Sequence, residues 1–161
     1  MGYINELVDT VERATSALLA VSDIAAARRP APGKWSPKEI IGHLIDSACN
    51  NHHRFVVAQR QDDLIFPGYD QEAWVKAQCY QDEAWAELVT LWRFYNLHIA
   101  RVMECASEEA RLRKRVRHNL HEIAWRAVPQ DQPTTLDYLM SDYVGHLKHH
   151  LRQVGTLVGP L

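Results

Sequence analysis

The chain has 161 residues, a formal net charge of −2 with histidine neutral, and 47% hydrophobic residues. This length predicts one domain, 1–161, with a single core, and the composition excludes a disordered chain. The near-neutral charge offers no general attraction for nucleic acid or for an anionic membrane, so we expect neither partner. Histidine is the unusual residue type, because several of the nine histidines are clustered.

The N-terminal stretch MGYINELVDTVERATSALLA contains acidic residues and no uninterrupted apolar run, so we expect neither a signal peptide nor a membrane span. The three cysteines, Cys49, Cys79 and Cys105, are far apart and odd in number. They predict neither a disulfide framework nor a cysteine metal knuckle. We therefore expect a cytoplasmic protein, in which any transition-metal site is built from imidazole.

Two helices are predicted in the first part of the chain. The first covers residues 3–27, where apolar residues recur at three- and four-residue steps until the breakers of ARRPAPGK. The second begins at WSPKEI, where Ser36 suits the N-cap, Pro37 the first helical position and Glu39 the third. This capping box predicts a helix that runs to about residue 59.

Two more long helices and one short helix are predicted further on. The short helix covers residues 71–77 after the Pro-Gly break, and the third long helix covers 82–106. The last begins near Thr134, with Asp137 as its capping-box partner, and runs through residue 154. Residues 107–133 are mixed, and no strand pattern of real length appears. The predicted fold class is therefore all-α: a four-helix bundle with long connections and a short extra helix.

The last predicted helix contains a cluster of three histidines within YVGHLKHHLRQV. His146 and His150 lie one turn apart on one face, whereas His149 lies beside it. Asp142 and Gln153 extend the same stripe. A histidine pair also arises by chance in a histidine-rich chain, so a surface tract or a packed bundle end is the alternative.

The second predicted helix carries a polar stripe bordered by isoleucine and leucine. Its members are His43, Asp46, Asn50 and Arg54, at steps of three, four and four residues. A solvated face usually carries lysine and glutamate, so this stripe is more typical of a cleft wall inside a bundle. If this helix packs beside the last one, His43 can approach the pair in YVGHLKHHLRQV.

Three neutral imidazoles form a recognised set of metal ligands. They bind zinc at about 2.0–2.1 Å and leave one position for water or substrate. Nickel, or another divalent metal that favours imidazole, is equally compatible. A single helical histidine is more often a surface or core residue, and we expect His52, His53 and His149 to lie off the site or on its rim.

Three segments of the sequence resemble the DinB/YfiT-like metalloenzyme family. They are KWSPKEIIGHLIDSACNNHHRF, YDQEAW (Tyr69 to Trp74) and TLDYLMSDYVGHLKHHLRQV, and they occur in the family's order. The resemblance implies a DinB-type four-helix bundle, often dimeric, with His43, His146 and His150 as metal ligands. It implies no DNA binding. The segment HNLHEIAWRAVPQDQP has no family counterpart that we can match.

The resemblance leaves the reaction open, because fold and metal do not determine chemistry. Characterised members of this family include S-transferases and isomerases that use bacillithiol, mycothiol or glutathione, and many others are labelled hydrolases. The leading hypothesis is a thiol-dependent S-transferase of small molecules, in which a divalent metal activates the thiol. The alternatives are a metal-dependent hydrolase and a non-catalytic bundle that binds metal or another ligand.

Roles follow from the chemistry of the remaining candidates. Asp46 is a candidate catalytic residue, either orienting His43 or Arg54 or accepting a proton. Arg54 is both a catalytic and a substrate-binding candidate, because its planar fork pairs with an anionic group. Asn50 is a further substrate-binding candidate. The connecting loop supplies the last substrate-binding candidates, which are Tyr69, Asp70 and Trp74; their alternative role is to pack that loop onto the bundle.

Overall fold

Four long helices dominate the computed structural model, which describes residues 2–161. Among these residues the α-helices are α1 Gly2–Leu19, α2 Asp23–Ala26, α3 Pro37–Ala58, α4 Gln71–Ala77, α5 Trp85–Cys105, α6 Glu108–Leu112, α7 Leu120–Ile123 and α8 Leu136–Val158. A 3-10 helix, Tyr80–Asp82, lies between α4 and α5. The predicted all-α class and four-helix bundle with long connections are confirmed, as is the short extra helix at α4.

The four long helices form a bundle in which α1 and α3 lie diagonally, because each packs mainly against α5 and α8. Helix α5 is antiparallel to α1, since Arg93 pairs with Glu12 and Trp85 Nε1 donates to Leu18 O. Contacts between equivalent ends of the two helices show that α3 is parallel to α5. Contacts between opposite ends show that α3 is antiparallel to α8. In chain order the four long helices therefore run up, down, down and up, and α3 lies beside α8.

The start of α3 matches the predicted capping box. The Ser36 hydroxyl accepts a hydrogen bond from the Glu39 amide at 3.3 Å, and the Glu39 carboxylate accepts one from the Ser36 amide at 2.9 Å. Glu39 also pairs with Arg29 at 2.5 Å, which ties the preceding loop to the helix. These contacts determine where α3 begins, and hence the register of its side chains.

The predicted first helix, 3–27, is wrong as a continuous element. Helix α1 ends at Leu19, and Ser22 then caps the separate α2 by accepting a hydrogen bond from the Ala25 amide at 3.3 Å. A serine hydroxyl competes with helical backbone bonding, which explains the break. The Asp23 carboxylate accepts from Lys38 Nζ and the Trp85 amide, so α2 is bound to both α3 and α5.

The predicted cap of the last helix is wrong by one residue. Thr135 is the N-cap and accepts from the Tyr138 amide at 3.1 Å. Thr134 is held extended instead, because its amide and carbonyl both bond to Arg115. Asp137 therefore makes no capping box, and its carboxylate accepts from Tyr3 Oη and pairs with Arg111.

The long connections are held by short backbone pairings rather than by strands. Leu64 pairs with His118 in a parallel bridge, and Arg115 pairs with Thr134 in an antiparallel one. None of the helices in residues 2–161 combines the length and the apolar character that crossing a membrane requires. The bridges place α7 and the residues after it over the α3–α8 side of the bundle, next to the histidines.

Candidate metal centre

Helices α3 and α8 bring His43, His146 and His150 together. One ring nitrogen from each lies within 4.8 Å of the others. The ring centroids are 4.5–5.3 Å apart, and the rings meet edge to face at 71–78°. His43 is fully buried, whereas the other two are partly exposed. The arrangement follows from antiparallel packing, which sets a residue near the start of α3 opposite two successive turns of α8.

The nitrogens of this cluster fit a divalent metal ion. The Nε2 atoms of His43 and His146 are 3.3 Å apart. Two ligands bound at about 2.0–2.1 Å in a tetrahedral site are separated by about 3.3 Å. Two neutral imidazoles need one proton between them to make this a hydrogen bond, whereas a metal ion satisfies both lone pairs. The donor set is all nitrogen, which suits zinc or nickel better than magnesium or calcium.

The second nitrogens of two rings have partners of their own. His150 Nδ1 lies 2.6 Å from Gln153 Oε1, and His146 Nδ1 lies 3.4 Å from Ser47 Oγ. Such contacts select the tautomer whose Nε2 is free to bind a metal. His43 Nδ1 is buried without a hydrogen-bond partner among the described residues. The ring of Trp35 packs 5.1 Å from that of His43, so one side of the cluster is apolar.

Burial keeps these histidines neutral. Desolvation lowers the pKa of His43 to about 3, and the proximity of His150 acts in the same direction. Desolvation and the neighbouring histidines lower the pKa of His146 to about 3 as well. The pKa of His150 is also lowered by burial, although its contact with Gln153 opposes the shift. Neutral imidazole is the form that binds metal, so the site is ready for a cation at neutral pH.

A cavity of about 280 Å³ opens beside the cluster. His146, His149 and His150 form part of its wall. The rest of the lining comes from α3, the loop before α4 with the first residue of α4, the segment around α7 and the first half of α8: Ser47, Asn51, Arg54, Tyr69, Gln71, Glu122, Ile123, Ala124, Trp125, Leu139, Asp142 and Tyr143. A small molecule in this cavity would therefore lie against two of the three candidate metal ligands, His146 and His150.

The α3 residues that face the cavity differ from the predicted stripe by one position. Ser47, Asn51 and Arg54 line the cavity, whereas Asp46 and Asn50 do not. Asn50 donates instead to the backbone carbonyl of Asp46 at 2.9 Å. Counted from His43, steps of four, four and three residues lead to Ser47, Asn51 and Arg54, which are the α3 residues that line the cavity. That signal was present in the sequence, but Ser47 and Asn51 were missed because the stripe through Asp46 was equally regular.

Asp46 faces the 3-10 helix rather than the cavity. One carboxylate oxygen accepts from Tyr80 Oη at 2.7 Å and from Gln78 Nε2 at 2.5 Å. The other oxygen is buried without a partner among residues 2–161. Burial raises the pKa of this carboxyl group, and the two hydrogen bonds partly offset the effect. Neither His43 nor Arg54 is among its hydrogen-bond partners in the described chain.

The loop residues of YDQEAW occupy different positions around the site. Tyr69 lines the cavity, and desolvation raises the pKa of its hydroxyl to about 12. Asp70 caps α4 by accepting from the Ala73 amide at 3.0 Å. Trp74 packs 5.0 Å from the Tyr69 ring and stays 37% exposed. Of the three predicted residues only Tyr69 lines the cavity, and Gln71 of the same segment lines it as well.

The segment from residue 120 to 126 covers the opposite side of the cavity. The carboxylate of Asp142 accepts hydrogen bonds from the amides of Trp125 and Arg126, at 2.8 and 2.9 Å. The Trp125 ring lies directly over Gly145, where a Cβ atom would come within 2.8 Å of it, and also packs against His149. Local sequence carries no signal for this segment, because its position depends on an aspartate sixteen or more residues away.

The remaining histidines on the long helices lie outside the cluster. His149 lines the cavity beside Trp125, which agrees with the expected place on the rim. His52 lies on the side of α3 that packs against α5, where its ring is 5.0 Å from that of His98. His53 is exposed.

Comparison with known proteins places this bundle in a family. The sequence profile of the DinB superfamily matches residues 6–154. The solved structure of YfiT from Bacillus subtilis, described as a probable metal-dependent hydrolase with an unusual four-helix bundle topology, matches with a TM-score of 0.77 and 17% identity. The match covers 97% of this chain and 83% of that one, and at this identity it shows the fold alone. No curated protein matches the sequence. The family profile covers nearly the whole chain, and the chain therefore belongs to the DinB superfamily.

Proposed function

We infer that this protein is a divalent-metal-dependent enzyme that transfers a low-molecular-weight thiol to a small electrophile. The observation that carries the proposal is the convergence of His43, His146 and His150, of which the last two lie in the wall of a small cavity. A structural metal site is usually closed by four protein ligands, whereas three ligands beside a cavity leave room for a reactant. The proposed ion is zinc or nickel, because both are well suited to three imidazoles.

A bound divalent ion supplies Lewis acidity, which favours the deprotonated form of a thiol or water beside it. The protein contributes the surroundings. The thiol proton passes to solvent, the sulfur forms the new bond, and the leaving group departs with its electron pair. Tyr69 stays protonated at neutral pH because its pKa is about 12, so it can donate a hydrogen bond to the reactants. Trp125 and Trp35 limit access of water from two sides.

The carboxylates near the cavity support a thiol more than a water nucleophile. A water nucleophile is commonly assisted by a general base, and the carboxylates that line the cavity are Glu122 and Asp142. Both oxygens of Asp142 are occupied by backbone amides, and the Glu122 side chain is 64% exposed at the mouth. Asp46 directs one oxygen to Tyr80 and Gln78. A thiol has a far lower pKa than water, so it depends less on such a base.

Asp46 and Asn50 keep supporting roles in this proposal. Asp46 fixes α3 against Tyr80 of the 3-10 helix, which supports a positioning role for the turn that carries His43. The unpartnered oxygen of Asp46 and Nδ1 of His43 lie one helical turn apart in sequence. Neither atom has a hydrogen-bond partner among residues 2–161, so we propose that this carboxylate orients the ring after one of the two side chains turns towards the other. Asn50 is bound to the backbone of its own helix, so substrate binding by Asn50 would require its side chain to turn.

Metal-dependent hydrolysis is the second candidate. It is favoured by the fold shared with YfiT from Bacillus subtilis, whose description names a probable metal-dependent hydrolase. In that case the exposed Glu122 at the cavity mouth is the residue best placed to act as the base.

Thiol dependence separates the two candidates. Purified protein is reloaded with zinc or nickel and incubated with an activated electrophile, with and without glutathione, bacillithiol or mycothiol. The proposal expects product only when a thiol is present, and loss of product in His150→Ala. Equal turnover of an ester or amide without thiol would favour the hydrolase. Full metal binding with no turnover of either kind would favour the non-catalytic bundle.

We also propose a cytoplasmic location and a homodimer. The cytoplasmic location is supported by Cys49, Cys79 and Cys105, which are all free and exposed and so suit a reducing compartment. The homodimer is supported by exposed apolar side chains on α3 and α5, namely Val56, Leu91 and Phe94. Sedimentation analysis tests the dimer, and a monomer at micromolar concentration would exclude it.

A further inference from the structure

The described chain contains three buried arginines, and their partners differ. Arg111 is 8% exposed and pairs with the Asp137 carboxylate. Arg115 is 1% exposed and donates to four backbone carbonyls at 2.7–3.4 Å, those of Ala58, Gln61, Ala110 and Arg113. The charge of Arg111 is therefore balanced by a carboxylate, although its Nε has no partner in the described chain, and that of Arg115 is solvated by backbone carbonyls. A buried cation normally has one or the other kind of partner.

Arg54 is the exception among these three. Its side chain is 4% exposed, and it donates to the Pro67 carbonyl at 3.0 Å and, weakly, to Asn51 Oδ1 at 3.5 Å. None of the ion pairs in residues 2–161 includes it. A guanidinium has five N–H donors, so most of its donor capacity is unused.

The N–H groups of Arg54 that lack a partner are on a side chain that lines the cavity. Arg54 lines the same cavity as His146, His150 and Tyr69. Burial of the guanidinium lowers its pKa, because desolvation disfavours the charged form. The cost of holding an unpaired cation in this wall is recovered when an anion binds there.

We propose that Arg54 binds the carboxylate of a small ligand whose other end lies at the three-histidine centre. The inference rests on the proposed function and deepens it by naming the ligand class. A carboxylate matches the planar fork of one guanidinium with two parallel hydrogen bonds. Arg54 is the one arginine or lysine in the described cavity lining, which also carries the carboxylates of Glu122 and Asp142. A single guanidinium in these surroundings balances the one charge of a carboxylate better than the double charge of a phosphate.

The register of α3 sets the length of this ligand. Ser47 contacts His146, and Arg54 follows seven residues later on the same helix. That interval corresponds to about 10 Å along the axis, and side chains tilt towards the helix N-terminus, which shortens the span. The ligand therefore places its metal-binding group and its carboxylate at opposite ends of a chain of a few atoms, within a cavity of about 280 Å³.

A chain-length series tests the proposal. Cobalt-loaded protein is titrated with ω-mercaptocarboxylates of two to six carbons and with the ω-mercaptoalcohols of equal length, and binding is followed in the cobalt absorption spectrum. We expect one preferred length at which the carboxylate binds about 10- to 100-fold more tightly than the alcohol. Arg54→Gln should reduce this ratio to about one, and Arg54→Lys, which keeps the charge but loses the fork, should retain part of it. Arg152→Gln, a change of an exposed arginine on α8, is the matched control and should leave the ratio unchanged.

The outcomes distinguish this proposal from the proposed function. Equal binding of acids and alcohols by a normal cobalt centre would overturn the role of Arg54 and leave the metal centre standing. If no metal binds, calorimetry of the metal-free protein with the same acids still tests Arg54, and the absence of a carboxylate preference there overturns it. Tighter binding of inorganic phosphate than of succinate would overturn the carboxylate assignment. Circular dichroism of each variant excludes misfolding, and Arg54→Lys provides the folded variant if Arg54→Gln is unstable.

Discussion

Helix α3 carries histidines on two sides, and the two groups differ in environment rather than in spacing. On the α8 side, His43 meets His146 and His150 with ring centroids 4.5–5.3 Å apart. On the α5 side, His52 and His98 have centroids 5.0 Å apart. The first group has three rings, a fully buried member and a cavity. The second has two rings, and His98 is exposed.

This comparison shows that proximity of imidazoles does not by itself make a metal centre. In the first group, Nδ1 of His146 contacts Ser47 and Nδ1 of His150 contacts Gln153. Burial lowers the pKa of both histidines, which keeps the rings neutral, so protons do not compete with a metal ion for them. Among residues 2–161, no third imidazole joins His52 and His98 in a cluster that could hold a metal ion. A strong metal site needs enough ligands, and these ligands must be both neutral and correctly oriented.

The largest expected effect is loss of metal on removal of a buried ligand. His43→Ala should leave less than about one tenth of the bound zinc or nickel, because two imidazoles hold a divalent ion far more weakly than three. His52→Ala removes a histidine from the other side of the same helix and should keep the full metal content. Elemental analysis after dialysis measures both. Equal metal content in the two variants would contradict the distinction between the groups.

The second expected effect is acid destabilisation of the metal-free protein. His43 and His146 have a pKa of about 3 in the folded chain, against 6.5 when unfolded. The unfolded state therefore binds more protons below pH 6.5, and stability falls as the pH decreases towards 3. Each histidine contributes about 1.4 kcal/mol per pH unit across this window.

Urea unfolding at pH 7, 6 and 5 with a chelator present measures this effect. The His43→Gln variant should lose about 1.4 kcal/mol per pH unit of the dependence seen in the unmodified protein. His52→Gln should lose clearly less, because its environment is more exposed. If both substitutions change the slope equally, burial does not distinguish the two groups.

The third effect concerns the partner of His150. Gln153→Ala removes the contact with Nδ1 at 2.6 Å and should weaken metal affinity by about 10- to 100-fold, as expected for a group that orients a ligand. Arg152→Ala, an adjacent exposed position, is the control. Competition with a chromophoric chelator measures the affinity, and unchanged affinity in Gln153→Ala would show that the glutamine does not orient the ring.

The smallest effect is expected at Ser47. Its hydroxyl lies 3.4 Å from His146 Nδ1, which is a long contact. Ser47→Ala should therefore lower metal affinity by only about two- to fivefold. The same chelator competition measures it. A loss as large as that in Gln153→Ala would mean that the serine shortens its contact when the metal is bound.

Much of the site was predictable because it lies on long, regular helices. The capping box at Ser36 sets where α3 begins, and the four-residue spacing of His146 and His150 sets their common face. The third ligand, His43, could be proposed from its place on a polar stripe, and the resemblance to a family strengthened that assignment. Helical periodicity is a local property, so it can be read without knowledge of the fold.

The choice between neighbouring faces of α3 was not predictable in the same way. A stripe through Asp46 and Asn50 and one through Ser47 and Asn51 are both regular, and they differ by one residue. The packing angle of α3 against α8 decides which stripe faces the cavity. The unpaired state of Arg54 is likewise visible only when all neighbours are in place.

The sequence by itself determined the presence of four long helices, histidine as the residue type of the candidate metal site and the separation of three histidines over two helices. Only the tertiary structure decided that α3 lies antiparallel to α8, that Asp142 holds residues 125–126 over the cavity, and that Arg54 faces the same space as the histidines. The reason is the range of the interactions. Helix formation and capping depend on residues a few positions apart, whereas the cavity is built from contacts between segments that are distant in sequence.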